Sequence, residues 1–431
     1  MIAPLRVIVL SRTRAPGLRS TFSPQTVSRP RSCAIRRHVE ASSVGKATGV
    51  PFSERGGRMR GVLDLATGRY PSFLFGGSTG RLLPVFHLHE VTRAVLEPRL
   101  QFLSENGYRT VTTDAIARLV RDGRHPGPFT VALCFDDARA SLWTVAMPLL
   151  RKYNFRAITY AIPGRIVDAD ATRPTLDDGG LTPERADLSD RPFVTWPELR
   201  ALQAGGWVDV QNHTYSHASV FCADRVTRFV TPEFASTHLL DRPQISQDGD
   251  PVFLQPDDLG APLYPQRSRM SDAVRYVEDM DRRDRCLTRV REAGGAAFFA
   301  QPGWQRTLRA IADEGRGVFE SDDTRTHAIR VELDRARAVL EDRLRAPVHH
   351  LCFPWGVGGR LAREAARQLG IETAFSERLF GLRAVRAGDD RYRLMRLSGK
   401  WITRLPRRRS PHVVGSGAPR NVSTTGTDEP S

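Results

Sequence analysis

The chain is poor in the residues that would cross-link it or carry it through a membrane. Its 431 residues include five cysteines, Cys33, Cys134, Cys222, Cys286 and Cys352, odd in number and never spaced as Cys-x-x-Cys. That excludes a disulfide-built scaffold and a zinc site made of cysteines. Cys134 and Cys352 lie inside apolar runs and read as small core residues. No run approaches the ~18–20 apolar residues of a membrane span, so no transmembrane segment is expected. Near the start, Val7-Ile8-Val9-Leu10 is the one apolar stretch, shorter than the ~7–15 residues of a secretory signal core. With no export signal legible, the sequence alone predicts a cytoplasmic protein. Lysine is scarce as well, with only Lys46, Lys152 and Lys400. The bias to arginine fits a GC-rich coding sequence and carries no functional message.

Acidic residues are few at the ends. The net charge is +16, yet residues 1–60 hold 12 Lys+Arg against 2 acids and residues 401–431 hold 5 against 2. The ends therefore carry +13, and only +3 is left for residues 61–400. A central part so close to neutral predicts no specific nucleic-acid partner.

What is present is an α/β pattern long enough for one large domain with extensions. Residues 1–58 are basic and aperiodic; they read as a disordered extension, or as a mis-assigned start with Met59 the true beginning. Residues 59–403 read as the folded unit, with a long insertion at 221–325, and 404–431 as a disordered tail. Strands are predicted at Leu82–His87, Ala157–Ile162, Trp207–Gln211, His350–Phe353 and Ile371–Phe375. Helices are predicted over Leu96–Asn106, Ala115–Arg121, Leu142–Tyr153, from Thr195 to Gly205-Gly206, and over Val274–Val290, Val331–Leu344 and Leu361–Leu369. Thr195 and Glu198 have capping-box spacing. Strand, helix, strand in succession implies a parallel sheet.

The pattern centres on Thr130-Val131-Ala132-Leu133-Cys134-Phe135-Asp136-Asp137. An unbroken apolar run reads as a buried parallel strand, and in such sheets chemistry gathers where strands end. Two adjacent aspartates there are costly unless they bind something positive or share a proton. His213 and His217, four apart after another strand, would share one face of a helical turn and suit two ligands of one metal ion. Asp137 would complete a two-histidine, one-carboxylate site, with Asp136 free to take a proton from water. Taken singly, these signals have plainer readings. A His-x3-His pair is as compatible with packing, and an Asp-Asp pair with a helix cap or a phospho-receiver. The receiver, however, needs a third aspartate and a downstream lysine, where this chain offers histidines.

Their order adds information. Phe135-Asp136-Asp137, His213-Thr214-Tyr215-Ser216-His217 and Phe353-Pro354-Trp355-Gly356, each after a strand, resemble the T-F-D-D, H-T-x-x-H and P-Y/W-G motifs of the polysaccharide deacetylase (NodB-homology, carbohydrate esterase) family. Cys134 stands where that family usually has threonine. The resemblance covers roughly residues 82–220 and 330–400. It implies a distorted (β/α) barrel of about seven parallel strands and a divalent metal, commonly Zn2+. It also implies removal of N-acetyl groups from an N-acetylated glycan or glycoconjugate, at the cell envelope in many members. Carried onto this chain, Asp136 would be the general base and Asp137, His213 and His217 the metal ligands. The Trp355 N–H would help stabilise the oxyanion, and apolar residues around Phe353, Pro354 and Trp355 would hold the acetyl methyl.

Two departures stand out. The arginine that often precedes the proline motif and holds the base is replaced by Leu351-Cys352-Phe353, leaving Arg396 as the expected substitute. The late Leu-x-His motif that supplies a general acid is not visible, and His87 is the nearest alternative. A hydrolase of a non-sugar amide, or a glycan-binding protein that has lost catalysis, would fit the same fold.

Overall fold

Short apolar runs alternating with amphipathic stretches build a parallel sheet under a coat of helices. In the computed structural model they appear in chain order as β1 (Val85–Leu88), α1 (Arg93–Glu105), β2 (Arg109–Thr110), α2 (Thr113–Asp122), β3 (Thr130–Asp137), α3 (Met147–Lys152), β4 (Ala157–Ala161), α4 (Trp196–Ala204) and β5 (Val208–Asn212). The insertion follows, with β6 (Ser219–Phe221), β7 (Arg228–Phe229), β8 (Pro262–Leu263), β9 (Gln266–Ser268), β10 (Tyr276–Val277), α5 (Met280–Glu292), α6 (Trp304–Ala312) and β11 (Val318–Phe319). Then come α7 (Asp322–Leu344), β12 (His350–Cys352), α8 (Arg360–Gln368), β13 (Thr373–Phe375) and β14 (Leu397–Ser398). The structure describes residues 70–179, 191–246, 249–314, 316–376 and 383–408, all within one compact unit, Val44–Ser431. The readings made for residues 1–58 and for the tail beyond Arg408 lie outside the described residues.

The main sheet runs β13-β12-β5-β4-β3-β1-β14, with β2 beside the start of β3. Every pairing in it is parallel. Its two edges are brought together by residues 394–398: Leu394 bridges Phe375 on β13, while Leu397 pairs with Phe86 on β1. The result is a distorted (β/α) barrel. In β3, Val131, Leu133 and Phe135 pack outward with α1 residues Leu96, Leu100 and Leu103. Ala132 and Cys134 pack inward with Ile158, Tyr160, Cys352 and Phe375. Both faces are buried, which is why the run has no polar alternation until the aspartates. Register then sets the level of the strand ends: Asp137 lies opposite Ala161, Ala161 opposite Asn212, and Asn212 opposite Leu351.

Several boundaries differ from expectation. The helix predicted over Leu142–Tyr153 opens as a π-turn, Leu142–Ala146, before α3. Pro148 has no N–H to donate back to Thr144, so the regular ladder is interrupted there. The helix predicted from Val274 begins at Met280, because Tyr276 and Val277 pair with β11 and Asp279 caps the helix through the Arg282 N–H. The insertion is more than a cover. Phe221, Phe229, Leu254, Tyr276, Cys286 and Leu308 form a core of its own. At the other end, order continues past residue 404: Leu405 is buried, the Tyr108 hydroxyl donates to the Pro406 carbonyl (2.8 Å), and the Arg408 N–H donates to the Asn106 side chain (3.1 Å).

The start of α4 shows how polar groups are satisfied inside this fold. The fully buried Glu198 accepts from the Thr195 N–H (2.8 Å) and from Arg173 at 2.6 Å, tying the loop after β4 to the helix. The Glu198→Ala variant should lose about 1–3 kcal/mol of stability, because it removes the acceptor of the buried Thr195 N–H and the ion-pair partner of the partly buried Arg173; urea unfolding of the two proteins measures the difference.

Candidate active site

Strand alternation would send neighbouring side chains to opposite faces, yet the site needs both aspartates at the barrel mouth. Asp136 keeps the inward parity of Ala132 and Cys134. Asp137 and Ala138 take left-handed φ values of 66° and 51°, which turn the chain and bring the second carboxylate round. Thr214 (φ 67°), His217 (φ 54°) and Trp355 (φ 52°) are likewise left-handed. Non-glycine residues rarely hold this conformation, and its clustering at one rim marks a functional region.

Asp136 is 2% exposed. The Arg396 guanidinium grips it from both sides, Nη1 to Oδ1 at 2.7 Å and Nη2 to Oδ2 at 2.8 Å. Burial alone would raise the Asp136 carboxyl, but the buried guanidinium overrides it and holds the group well below the usual carboxylate range. The expected substitute for the missing upstream arginine therefore comes from the segment that closes the barrel, 260 residues away in sequence.

Asp137 meets the two histidines. Its Oδ1 lies 3.3 Å from His213 Nε2 and 3.8 Å from His217 Nε2, and the three groups offer ligand atoms within 4.8 Å of one another. The histidines are not on a helical turn, as their spacing had suggested. They flank a loop in which the Asn212 side chain accepts the Thr214 N–H (2.7 Å) and the Thr214 hydroxyl accepts the His217 N–H (3.1 Å). Those side-chain bonds replace the helical ladder and fold the two imidazoles together, with ring centroids 5.0 Å apart.

The donor set fits a cation. A carbonyl can only accept, so His213 Nδ1, 2.7 Å from the Cys352 oxygen, carries the proton and leaves Nε2 to face Asp137. This is the arrangement in which a carbonyl orients a metal-ligating imidazole. Burial keeps His217 neutral by lowering its pKa to about 3, although Asp137 pulls the other way. Asp137 Oδ1 is buried and accepts no hydrogen bond of good geometry among the described residues. A carboxylate oxygen and imidazole nitrogens converging in a dry site call for a positive charge between them.

The remaining expected residues divide. Trp355 is half-buried, with its indole 4.2 Å from the His217 ring. Phe353 and Pro354, expected beside the acetyl methyl, are both buried. Phe353 packs among Leu333, Leu351 and Ala362 and supports the turn from beneath. His87 is not the histidine that pairs with Asp136. His89, half of it exposed, places Nε2 3.7 Å from Asp136 Oδ2. The signal was the His-x-His spacing at the end of β1, which puts both rings on one side of the strand.

The sequence profile of the polysaccharide deacetylase family matches residues 123–247. The poly-beta-1,6-N-acetyl-D-glucosamine N-deacetylases of Escherichia coli K12 and O157:H7 are each 28% identical over 127 residues, 29% of this chain and 18% of theirs. The match thus spans under a fifth of the length of those curated relatives. Among solved structures, the BpsB deacetylase domain from Bordetella bronchiseptica covers 75% of this chain and 97% of its own, at 16% identity and a TM-score of 0.46. IcaB from Ammonifex degensii covers 75% and 98%, at 17% identity and a TM-score of 0.41.

The site makes a direct prediction. Dialysed protein should take up one equivalent of Zn2+, read by isothermal titration. His217→Ala should weaken uptake at least about 100-fold, because it removes one of the three grouped side chains that could hold the ion. Uptake unchanged in that variant would show that the ion binds elsewhere. Residues 123–247, which carry the Asp136-Asp137 and His213–His217 motifs of the barrel rim, are the part of this chain that matches the polysaccharide deacetylase profile.

Proposed function

We propose that this domain is a metal-dependent hydrolase that removes N-acetyl groups from amino sugars of a polysaccharide or glycoconjugate. The observation that carries the reading is the pairing of two separate carboxylate environments on adjacent residues. Among the described residues Asp137 faces two imidazole nitrogens and pairs with no Lys or Arg, while Arg396 locks Asp136 as an anion. Residues 59–403 would form the catalytic unit, with 221–325 shaping one side of its cleft.

A divalent ion such as Zn2+, held by Asp137, His213 and His217, would supply Lewis acidity and lower the pKa of a water in the site. Asp136 then acts as general base. Arg396 fixes its orientation and leaves each oxygen a lone pair for the incoming proton. Water adds to the acetyl carbonyl carbon as Asp136 takes one of its protons. The Trp355 N–H donates to the oxygen that becomes negative, and the Trp355 indole packs on the acetyl methyl. The carbon–nitrogen bond breaks and the nitrogen leaves as the free amine with a proton from His89, which stands across Asp136 and reaches solvent. Acetate is the other product. His89 thereby fills the donor role left open by the absent late histidine motif, which favours an active enzyme over a glycan-binding relic.

Incubation with N-acetylglucosamine oligomers should release acetate. Asp136→Asn should lower kcat by about 10³-fold, the scale of a lost general base, while Zn2+ affinity stays within a few-fold of wild type. His89→Gln should lower kcat about 10²-fold. No acetate from any N-acetylated glycan, or full activity in Asp136→Asn, would sink the reading.

A further inference from the structure

Between the two histidines lie Thr214, Tyr215 and Ser216, and the loop they form is held from outside as well as from within. One outside anchor is the segment after β4, where the Gly164 N–H donates to the Tyr215 carbonyl at 2.8 Å and Arg165 Nε to the Ser216 carbonyl at 3.4 Å; the other is α7. The Glu332 carboxylate accepts the Ser216 N–H through Oε2 at 3.0 Å and the Ser216 hydroxyl through Oε1 at 2.7 Å. The Glu332 backbone carbonyl accepts the Tyr215 N–H at 3.0 Å. One turn-neighbour along, the Leu333 carbonyl accepts from the Asn212 side chain at 3.0 Å, and Asn212 in turn holds Thr214. These links from Glu332 and Leu333 land between residue 212 and residue 216, inside the span that sets the distance between the imidazoles.

The carboxylate is committed to this task. Among the described residues Glu332 makes no ion pair: nearby Arg335 pairs with Asp250, and Arg269 pairs with Glu320 at 2.6 Å. A half-buried carboxylate without a cation is costly, and two charge-assisted hydrogen bonds to one residue offset that cost while allowing the loop little freedom. The loop needs such restraint, because Thr214 and His217 both sit in the left-handed region and would relax toward commoner conformations if released. A relaxed His217 would swing its ring away from Asp137.

We propose that Glu332 is a positioning residue for the metal centre, which sets the geometry of the His213–His217 pair through Ser216. The proposal rests on the metal-site reading above. It is tested by titrating Zn2+ into wild type, Glu332→Ala and Glu332→Gln, and by recording visible spectra of the Co2+-loaded proteins. The expected result for Glu332→Ala is a 10–100-fold loss of Zn2+ affinity, the scale of outer partners of metal ligands, with an altered Co2+ ligand-field spectrum. The apoprotein should melt within about 5 °C of wild type. Glu332→Gln retains an acceptor for the Ser216 N–H and should bind within about threefold of wild type. Wild-type affinity and spectrum in Glu332→Ala would overturn the proposal. So would a Gln variant as weak as Ala in which apoprotein melting falls in step with affinity, since that marks a general structural role. If wild type itself takes up no divalent ion, the metal-site reading fails first and this inference falls with it.

Discussion

A carboxylate buried at the end of a central strand stays ionised only if a cation is buried with it, and Arg396 is that cation. The pair does two things at once. It sets the charge state of Asp136 against the pull of burial, and it ties the segment that closes the barrel to the strand at its centre. Removing one partner of such a pair leaves the other stranded in a low-dielectric interior, which costs more than the pair is worth when intact. Barrel closure and the charge state of Asp136 therefore rest on one interaction.

The second constraint is conformational. Parallel register delivers Asp137, Asn212 and the residues after β12 to one level, but level alone does not aim side chains. The left-handed backbone at Asp137, Ala138, Thr214, His217 and Trp355 does the aiming, and each instance is unfavourable by itself. Side-chain hydrogen bonds from Asn212 and Thr214, and the grip of α7 on Ser216, hold the histidine loop in place. The proline-motif turn is held from another direction. Asp272, in the insertion, accepts the Leu361 and Ala362 N–H groups at the start of α8, and the Met270 carbonyl accepts the Gly359 N–H at 2.7 Å. The insertion, with its own core, is thus fastened to the loop that carries Trp355. Its β9 also pairs with β6 directly after His217.

Much of this was legible in the chain. The unbroken run Thr130–Phe135 announced a strand buried on both faces, because only apolar residues tolerate such a position without alternation. The two aspartates that end it pointed to a site, because adjacent buried carboxylates are costly unless they meet a positive charge or share a proton. The helix starting at Thr195 was readable from Glu198 three residues on, since capping is a local matter. Boundaries failed where tertiary pairing competed with local preference, as at Tyr276 and Val277, which join a ribbon instead of opening a helix.

The sequence by itself determined which residue types could do the chemistry and that three strand ends carry them, because motif spacing and hydrophobic runs are local properties of the chain. Only the tertiary structure decided which groups meet. His89 rather than His87 approaches Asp136, Arg396 reaches it from the closing segment, Phe353 supports the turn from below, and Glu332 on a distant helix holds the histidine loop. Each of those contacts joins residues that no local period relates. They exist because curling a parallel sheet into a barrel brings its strand ends to a common rim.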